Sequence, residues 1–572
     1  MCGIVGVKSE NAPEKVFNGL KRLEYRGYDS AGIAIHGNPS VQIEKGVGTV
    51  EEVTDGKGES NVSIGHTRWA THGGVTDENA HPHTDCNEEI AVVHNGIINN
   101  YEELRSELEE RGHELKSETD TEVIPHLIEE NLELGVREAC EKVMEILEGS
   151  YAVAVVFKSG EMAAFRQDSP LVIGVKEKEY YLASDVTAFL DYASDAVFME
   201  DGDLAIIDEE LEIFNDGEKV QRGLNHIEWD AEQASKAGYD HYMEKEINEQ
   251  SQTVKRAAFQ DKSDMREAVD MLNEAEKIYL TGCGTASYAA MMGAKYLRDA
   301  GYEVEVEQSH ELEYRKDELG EDDLIIAVSQ SGETADLLSV LKKSEAKVLA
   351  IVNVVESTLA RNSKHALYVN AGPEIGVAST KAFTAQITVL KLLSYAARDE
   401  LESGRKSLLN TAELVEEVLD TNSETIENIS QYFQEKDDVY FIGRNLGREL
   451  SLESALKLKE LSYIHAEGFA GGEFKHGTLA LIEEGVPVVA FLDHQKTEIM
   501  SNAVEARSRG ADIIGVGSEI IDSTKFFIQI PEDRNREILE IIPFQAIAYR
   551  TSVLKGNNPD KPRNLAKSVT VK

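Results

Sequence analysis

The chain is poor in several residue types, and each shortage excludes something. Four cysteines occur in 572 residues, Cys2, Cys86, Cys140 and Cys283, and no two stand at CxxC spacing. That argues against a zinc knuckle or a redox pair and fits a reducing, cytoplasmic setting. No run of 18 or more apolar residues is present, so no membrane span is expected. No basic stretch precedes an apolar core at the start, so no secretory signal is expected. Basic residues are scarce: 58 against 105 acidic ones, for a net charge of −47. Such a surface repels nucleic acid and anionic membranes, and neither is expected as a partner. The acids run through the whole chain rather than a tail, which argues against a disordered acidic segment. Strong self-repulsion is tolerable where salt screens it, since the Debye length falls to about 3 Å at 1 M; we read a salt-adapted surface. No GxxxxGK[ST] phosphate loop and no SGGxDS loop occur, so ATP-dependent chemistry is not indicated.

What is present suggests three or four domains. Residues 1–225 show short apolar strands ("VSIGHTRWAT", "IAVVHNGII", "YAVAVVFKSG") separated by turns, with helical periodicity in "NYEELRSELEERG" and "DTEVIPHLIEENLELG". This predicts sheets packed in layers with helices outside. Residues 226–265 are polar and read as a linker with a connecting helix. Beyond them strands alternate with helices, the pattern of parallel α/β sheets, over 266–402 and again over 429–562, with a tail at 563–572. A weak internal repeat relates "KIYLTGCGTASYAAMMGAKYL" to "DVYFIGRNLGRELSLESALKL".

Cys2 stands directly behind Met1. Removal of Met1 would give its thiol a neighbouring α-amine with a pKa of about 7.7–8.0, a means of activating a nucleophile; the alternative is a strand that starts with a small thiol. In "HTRWATHG" and "VVHNGIINN", Arg68 suits a carboxylate clamp, and Asn95 with the Gly96 backbone N–H suits an oxyanion hole. His66, His72, His81, His83 and His94 match no metal spacing, and no metal or cofactor is expected. In "SQSGET", between strand and helix, Ser329, Ser331 and Thr334 offer hydroxyls and Gly332 lets the backbone approach. This is either a monophosphate cradle or a set of helix-capping serines. Glu453, Lys457 and Glu460 fall within roughly a 60° arc of a helix. They form either a solvated charge stripe or a Schiff-base lysine beside carboxylates. His476 in "FKHGTLAL" and Lys567 in "NLAKSVTVK" carry no signal alone.

Together these segments resemble the glutamine–fructose-6-phosphate aminotransferase family from "CGIVG" to "LAKSVTV", including "YRGYDSAG", "NAHPH", "SETDTEVI", "CGTA", "GVASTKAFTAQ" and "ALKLKELSYIHAE". The resemblance implies an N-terminal-nucleophile glutaminase domain followed by two SIS sugar isomerase domains, acting on L-glutamine and D-fructose 6-phosphate, as a homodimer. It makes Cys2 the nucleophile, with Asn95 and Gly96 at the oxyanion. Arg68 would bind the glutamine α-carboxylate and Asp120 its amine. Trp69, Thr71 and His72 would lie at the glutamine site, Trp69 also gating ammonia transfer. Thr285, Ser329, Gln330, Ser331, Thr334 and Val377 would hold the sugar phosphate. Lys457 would form the Schiff base and Glu460 would move the proton between C1 and C2. His476 would assist ring opening, and Lys567 isomerisation. Ala286 and Thr478 depart from the family pattern, where serine and proline are usual.

Overall fold

The computed structural model describes all residues except 1, 25, 26, 28, 38, 70, 71, 228–235, 495, 571 and 572. Thr71 therefore lies outside the described residues. The chain divides into two compact units, Met1–Ser235 with Ala566–Lys572, and Lys236–Leu565.

Two antiparallel sheets build the first unit. One has eight strands, with Gly3–Lys8 at an inner position between Glu179–Ala183 and Val62–Arg68. The other has seven, with Gly149–Phe157 paired to Ile90–Ile98 and Met162–Gln167. Alternation explains why these strands read as continuous apolar runs. Ala91 and Val93 join Ala152 and Ala154 in a core shared with Ile4, Ile64 and Leu182 of the other sheet. Ile90 and Val92, one residue out of phase, face the opposite way with Val153 and Val155. There they pack on Leu104, Leu108, Ile124 and Val143 of the helices Tyr101–Glu110, Val123–Asn131 and Val136–Ile146. Both faces of the strand are buried, so the period-2 signal shows only as a switch of partner. Helix Ala12–Leu23 covers the outer face of the eight-stranded sheet with Val16, Leu20 and Leu23.

The second unit holds two parallel five-stranded sheets of one plan. In the first, Ile278–Gly282 lies between Val304–Gln308 and Leu324–Ser329, followed by Lys347–Val352 and His365–Tyr368. In the second, Asp438–Gly443 takes the corresponding place between His465–Ala470 and Pro487–Phe491. The repeat extends to backbone detail. Gly284 (φ 55°, ψ −130°) precedes helix Thr285–Asp299, and Asn445 (φ 51°, ψ −127°) precedes helix Leu446–Ser462. Both sheets reverse strand order beside their first strand, the point where open α/β sheets take ligands at the strands' carboxyl ends.

The stretch read as a linker is shorter than expected. Leu224–His226 pairs with Asp195–Phe198 in the first unit. From Tyr242 the chain forms helices Tyr242–Asn248 and Gln250–Ala258, whose Met243, Ile247 and Val254 are buried in the core of the second unit. Their polar residues misled the composition reading: Glu246 accepts hydrogen bonds from the Ile375 and Gly376 amides at 2.6 and 3.1 Å, so its charge is satisfied inside.

Candidate functional sites

In the first unit, Cys2 leads directly into Gly3–Lys8 and is held at the mouth of the sheet. The Trp69 N–H donates to its Sγ at 3.2 Å, and the Asn95 Nδ2 donates to its carbonyl at 3.2 Å. Burial pushes the Cys2 thiol above its ordinary value; nearby positive charge, Arg68 included, and the Trp69 N–H oppose it. The resting group is a thiol, which needs a base to become a nucleophile. Asn95 and Gly96 sit at the end of the same strand, Ile90–Ile98. Gly96 has φ +133°, and a Cβ there would lie 1.9 Å from the Ser150 carbonyl oxygen, so only glycine fits. The orientation of the Asn95 amide is fixed from behind: with Nδ2 on Cys2, its Oδ1 accepts from His66 Nε2–H at 3.0 Å. Burial drives the His66 pKa down to about 3, so the ring stays neutral and keeps that proton.

Arg68 ends strand Val62–Arg68 and is almost wholly buried. Its guanidinium donates to the carbonyls of His72, Gly73 and Gly74, two of these at 3.3 and 3.1 Å. It thus shapes the loop that carries His72, whose ring meets Tyr101 edge-on at 5.4 Å. Asp120 accepts from the Ile98 N–H at 2.8 Å, at the end of the strand that carries Asn95 and Gly96. The histidines that invited a metal reading are packing and tuning groups. His66 stacks on His81 at 4.3 Å, His83 bonds Thr119 at 3.0 Å, and His94 bonds Thr121 at 2.9 Å. The last two contacts hold the segment that bears Asp120.

In the second unit, Lys457 projects from helix Leu446–Ser462 of the second sheet domain toward Thr285, at the start of helix Thr285–Asp299 of the first. Its Nζ lies 3.0 Å from Thr285 Oγ1, 2.6 Å from Glu460 Oε2 and 3.5 Å from Glu453 Oε1. Lys457 and Glu453 are both 0% exposed, which rules out the solvated charge stripe. Burial alone would lower Lys457, but the carboxylates of Glu453 and Glu460 outweigh it and hold it protonated. Burial raises Glu453 to about 8, against the pull of Lys457. A buried lysine between two carboxyl groups, one of them shifted toward its protonated form, can exchange protons locally, as imine chemistry requires.

The "SQSGET" loop leaves strand Leu324–Ser329 and enters helix Ala335–Lys343. Ser329 Oγ accepts from the Gly332 N–H at 3.0 Å, and Ser331 Oγ accepts from the Glu333 N–H at 3.1 Å. Thr334, at the N-cap, makes no side-chain cap bond, so its hydroxyl is not spent on the helix. Gln330 is partly exposed beside them. Val377 is buried, and its N–H donates to the Asp560 carbonyl at 3.3 Å, tying the loop to the segment before the tail. His476 is exposed on the turn before Thr478–Leu481, and its ring bonds neither Lys457, Glu460 nor the serine loop. Lys567 belongs with the first unit and Lys457 with the second.

Sequence reasoning missed Glu453's proton-holding role and His66's hold on Asn95. Both depend on burial and on contacts between residues far apart in the chain.

Layered antiparallel sheets bearing a cysteine at the chain start, followed by paired parallel sheets around a buried lysine, define a glutamine amidotransferase joined to sugar isomerase domains. Family models agree: a glutamine amidotransferase domain matches residues 66–191, and a SIS domain matches 271–396 and again 432–555. Glutamine–fructose-6-phosphate aminotransferases (isomerizing) from Thermococcus kodakarensis and Methanothermobacter thermautotrophicus are each 43% identical, over 100% of this chain and 100% of theirs. The C-terminal domain of the glucosamine-fructose-6-phosphate aminotransferase from Francisella tularensis is 34% identical, with TM-score 0.54, over 57% of this chain and 100% of that one. The chain belongs to the glutamine–fructose-6-phosphate aminotransferase (isomerizing) family. Among the described residues no helix is long and apolar enough to cross a membrane.

Proposed function

We propose that this chain releases ammonia from L-glutamine, adds it to D-fructose 6-phosphate and isomerises the product to D-glucosamine 6-phosphate. The observation that carries the reading is the buried Lys457–Glu460–Glu453–Thr285 cluster, in a chain whose other unit sets Cys2 against Asn95. Cys2 Sγ attacks the glutamine amide carbon, and its proton passes through the α-amine to the departing ammonia. The Asn95 amide and the Gly96 N–H take the oxyanion, and water then hydrolyses the thioester to glutamate. Arg68 and Asp120 hold the glutamine α-carboxylate and α-ammonium; Trp69, Thr71 and His72 line the same site.

At the sugar site, Ser329, Gln330, Ser331, Thr334 and Thr285 hold the phosphate and hydroxyls, with Val377 at their margin. Lys457 gives its proton to Glu460 and condenses with C2, releasing water. Ammonia displaces the lysine, which takes its proton back from Glu460, and Glu460 then carries the proton from C1 to C2. His476 assists ring opening and Lys567 the isomerisation. We further read the acidic surface as adapted to a salt-rich cytoplasm and the working form as a homodimer, the first on the net charge of −47 and the second on family likeness alone. The deciding experiment supplies amide-¹⁵N glutamine and fructose 6-phosphate. Labelled glucosamine 6-phosphate is expected; glutamate without labelled amino sugar would reject the transfer.

A further inference from the structure

Outside both sites, the turn between strands His83–Thr84 and Ile90–Ile98 meets the segment joining helices Tyr101–Glu110 and Val123–Asn131. Cys86, His113, His126 and Glu129 converge there, each offering one ligand atom, all within 4.8 Å of one another. Five of the six separations lie between 3.2 and 3.5 Å. Cys86 Sγ lies 3.5 Å from His113 Nδ1 and 3.5 Å from His126 Nδ1. The two Nδ1 atoms are 3.2 Å apart, and Glu129 Oε2 lies 3.3 and 3.4 Å from them.

We propose that these four residues form a structural zinc site. A tetrahedral ion with Zn–N and Zn–O bonds of about 2.0–2.2 Å and a Zn–S bond of about 2.3 Å sets its ligands roughly 3.3–3.6 Å apart along the tetrahedron's edges. Five of the six edges of this cluster lie at or within about 0.1 Å of that range. Hydrogen bonding accounts for the convergence less well. Two imidazole nitrogens face one another, so at most one proton fits between them, while Glu129 Oε2 already accepts from the Cys86 N–H at 3.2 Å. One cation would draw a lone pair from each of the four ligand atoms at once. The ligand set is soft enough for zinc and too nitrogen- and sulfur-rich for calcium or magnesium. With Cys86 as thiolate and Glu129 ionised, a divalent ion leaves the site neutral; the thiol proton goes to solvent on binding.

Two of the ligands are oriented by contacts outside the cluster. His113 turns its other nitrogen to Glu130 Oε1 at 3.4 Å, and Asn87 Nδ2 donates to Glu129 Oε1 at 2.7 Å. His126 is buried, while Cys86 is exposed and gives an ion a way in. The site closes the loop between His113 and His126, the segment that carries Asp120, so zinc would fix that loop to the seven-stranded sheet. The sequence hid the site because Cys86 and His113 lie far apart in the chain, without the short paired spacings of zinc motifs.

The test uses the full chain, incubated with zinc, freed of excess by gel filtration and assayed for metal. About one equivalent per chain is expected. Cobalt(II) in its place should give the intense visible bands of a tetrahedral ion and a thiolate-to-cobalt band in the near ultraviolet. In Cys86→Ser the thiolate band should vanish, while in Cys2→Ala it should persist. Glu129→Gln, the gentler change, should weaken zinc binding without removing the thiolate band. Well under one equivalent in folded wild-type protein overturns the proposal, whatever the variants do. So does a thiolate band that survives Cys86→Ser.

Discussion

Lys457 Nζ donates to Thr285 Oγ1 at 3.0 Å, a contact between two helices that begin from the same left-handed step in two copies of one sheet plan. In the first copy glycine occupies that step and lets Thr285 start the helix. In the second, Asn445 takes it, one of the few side chains that tolerate positive φ. The duplicated plan thus delivers different residues to a common meeting place: a hydroxyl from one copy, an amine and two carboxylates from the other.

Glu453 gives a pH signature. Its folded-state pKa of about 8 lies above its ordinary 4.5, so the folded protein holds a proton that the unfolded chain releases. The stability this contributes is complete below about pH 4.5 and is lost as pH rises through about 8. Glu453→Gln removes the titration. Its melting temperature relative to wild type should therefore climb between pH 5 and pH 8, a window chosen to lie between those two values. A difference independent of pH would show that Glu453 is already ionised when folded.

Cys2→Ala should abolish glutamine-dependent synthesis and leave the sugar half folded and able to use ammonia. Mass spectrometry of the active wild-type chain should find Met1 removed, because the raised thiol pKa of Cys2 calls for a base and the freed α-amine is the nearest one the chemistry offers. Active enzyme retaining Met1 would remove that base.

Asn95→Ala deletes a side-chain donor at the oxyanion position. Glutamine hydrolysis should fall about 10²–10³-fold in kcat with little change in KM. Ammonia-dependent synthesis should be unchanged. Equal loss of both would mean that the broken His66–Asn95 bond had disturbed the fold instead.

Lys567→Ala should lower glucosamine 6-phosphate formation by about 10²–10³-fold, the effect of one well-placed charge on an anionic intermediate. The ratio of glutamate to amino sugar should climb steeply. A parallel fall in both products would assign Lys567 to folding or docking of the tail.

Stability should rise with salt. A net charge of −47 repels itself, and added cations shorten the screening length from about 8 Å at physiological ionic strength. The melting temperature should increase toward about 2 M KCl, about twice the concentration at which the Debye length reaches about 3 Å. A flat or falling curve would assign the acids to an ordinary surface.

The sequence by itself determined the architecture and named candidate residues. Short apolar runs separated by turns required layered sheets, and strand–loop–helix units required parallel ones, because run length and turn residues are read without knowing distant partners. Cys2 was singled out as a candidate by its place behind Met1, and Arg68, Asn95 and Gly96 by their types within two strand segments. What only the tertiary structure decided is whatever depends on burial or on long-range meeting. The arc of Glu453, Lys457 and Glu460 by itself pointed to a solvated stripe, and only its burial against Thr285 by the first sheet domain removed that reading. The polar segment from Tyr242 read as part of a linker with a connecting helix, and only the structure shows its charges partnered inside the second unit. Cys86, His113, His126 and Glu129 gave no signal in sequence, since two strands and two helices bring them together. Charge, hydroxyl and imidazole change meaning with dielectric and with neighbours, and neither is written along the chain.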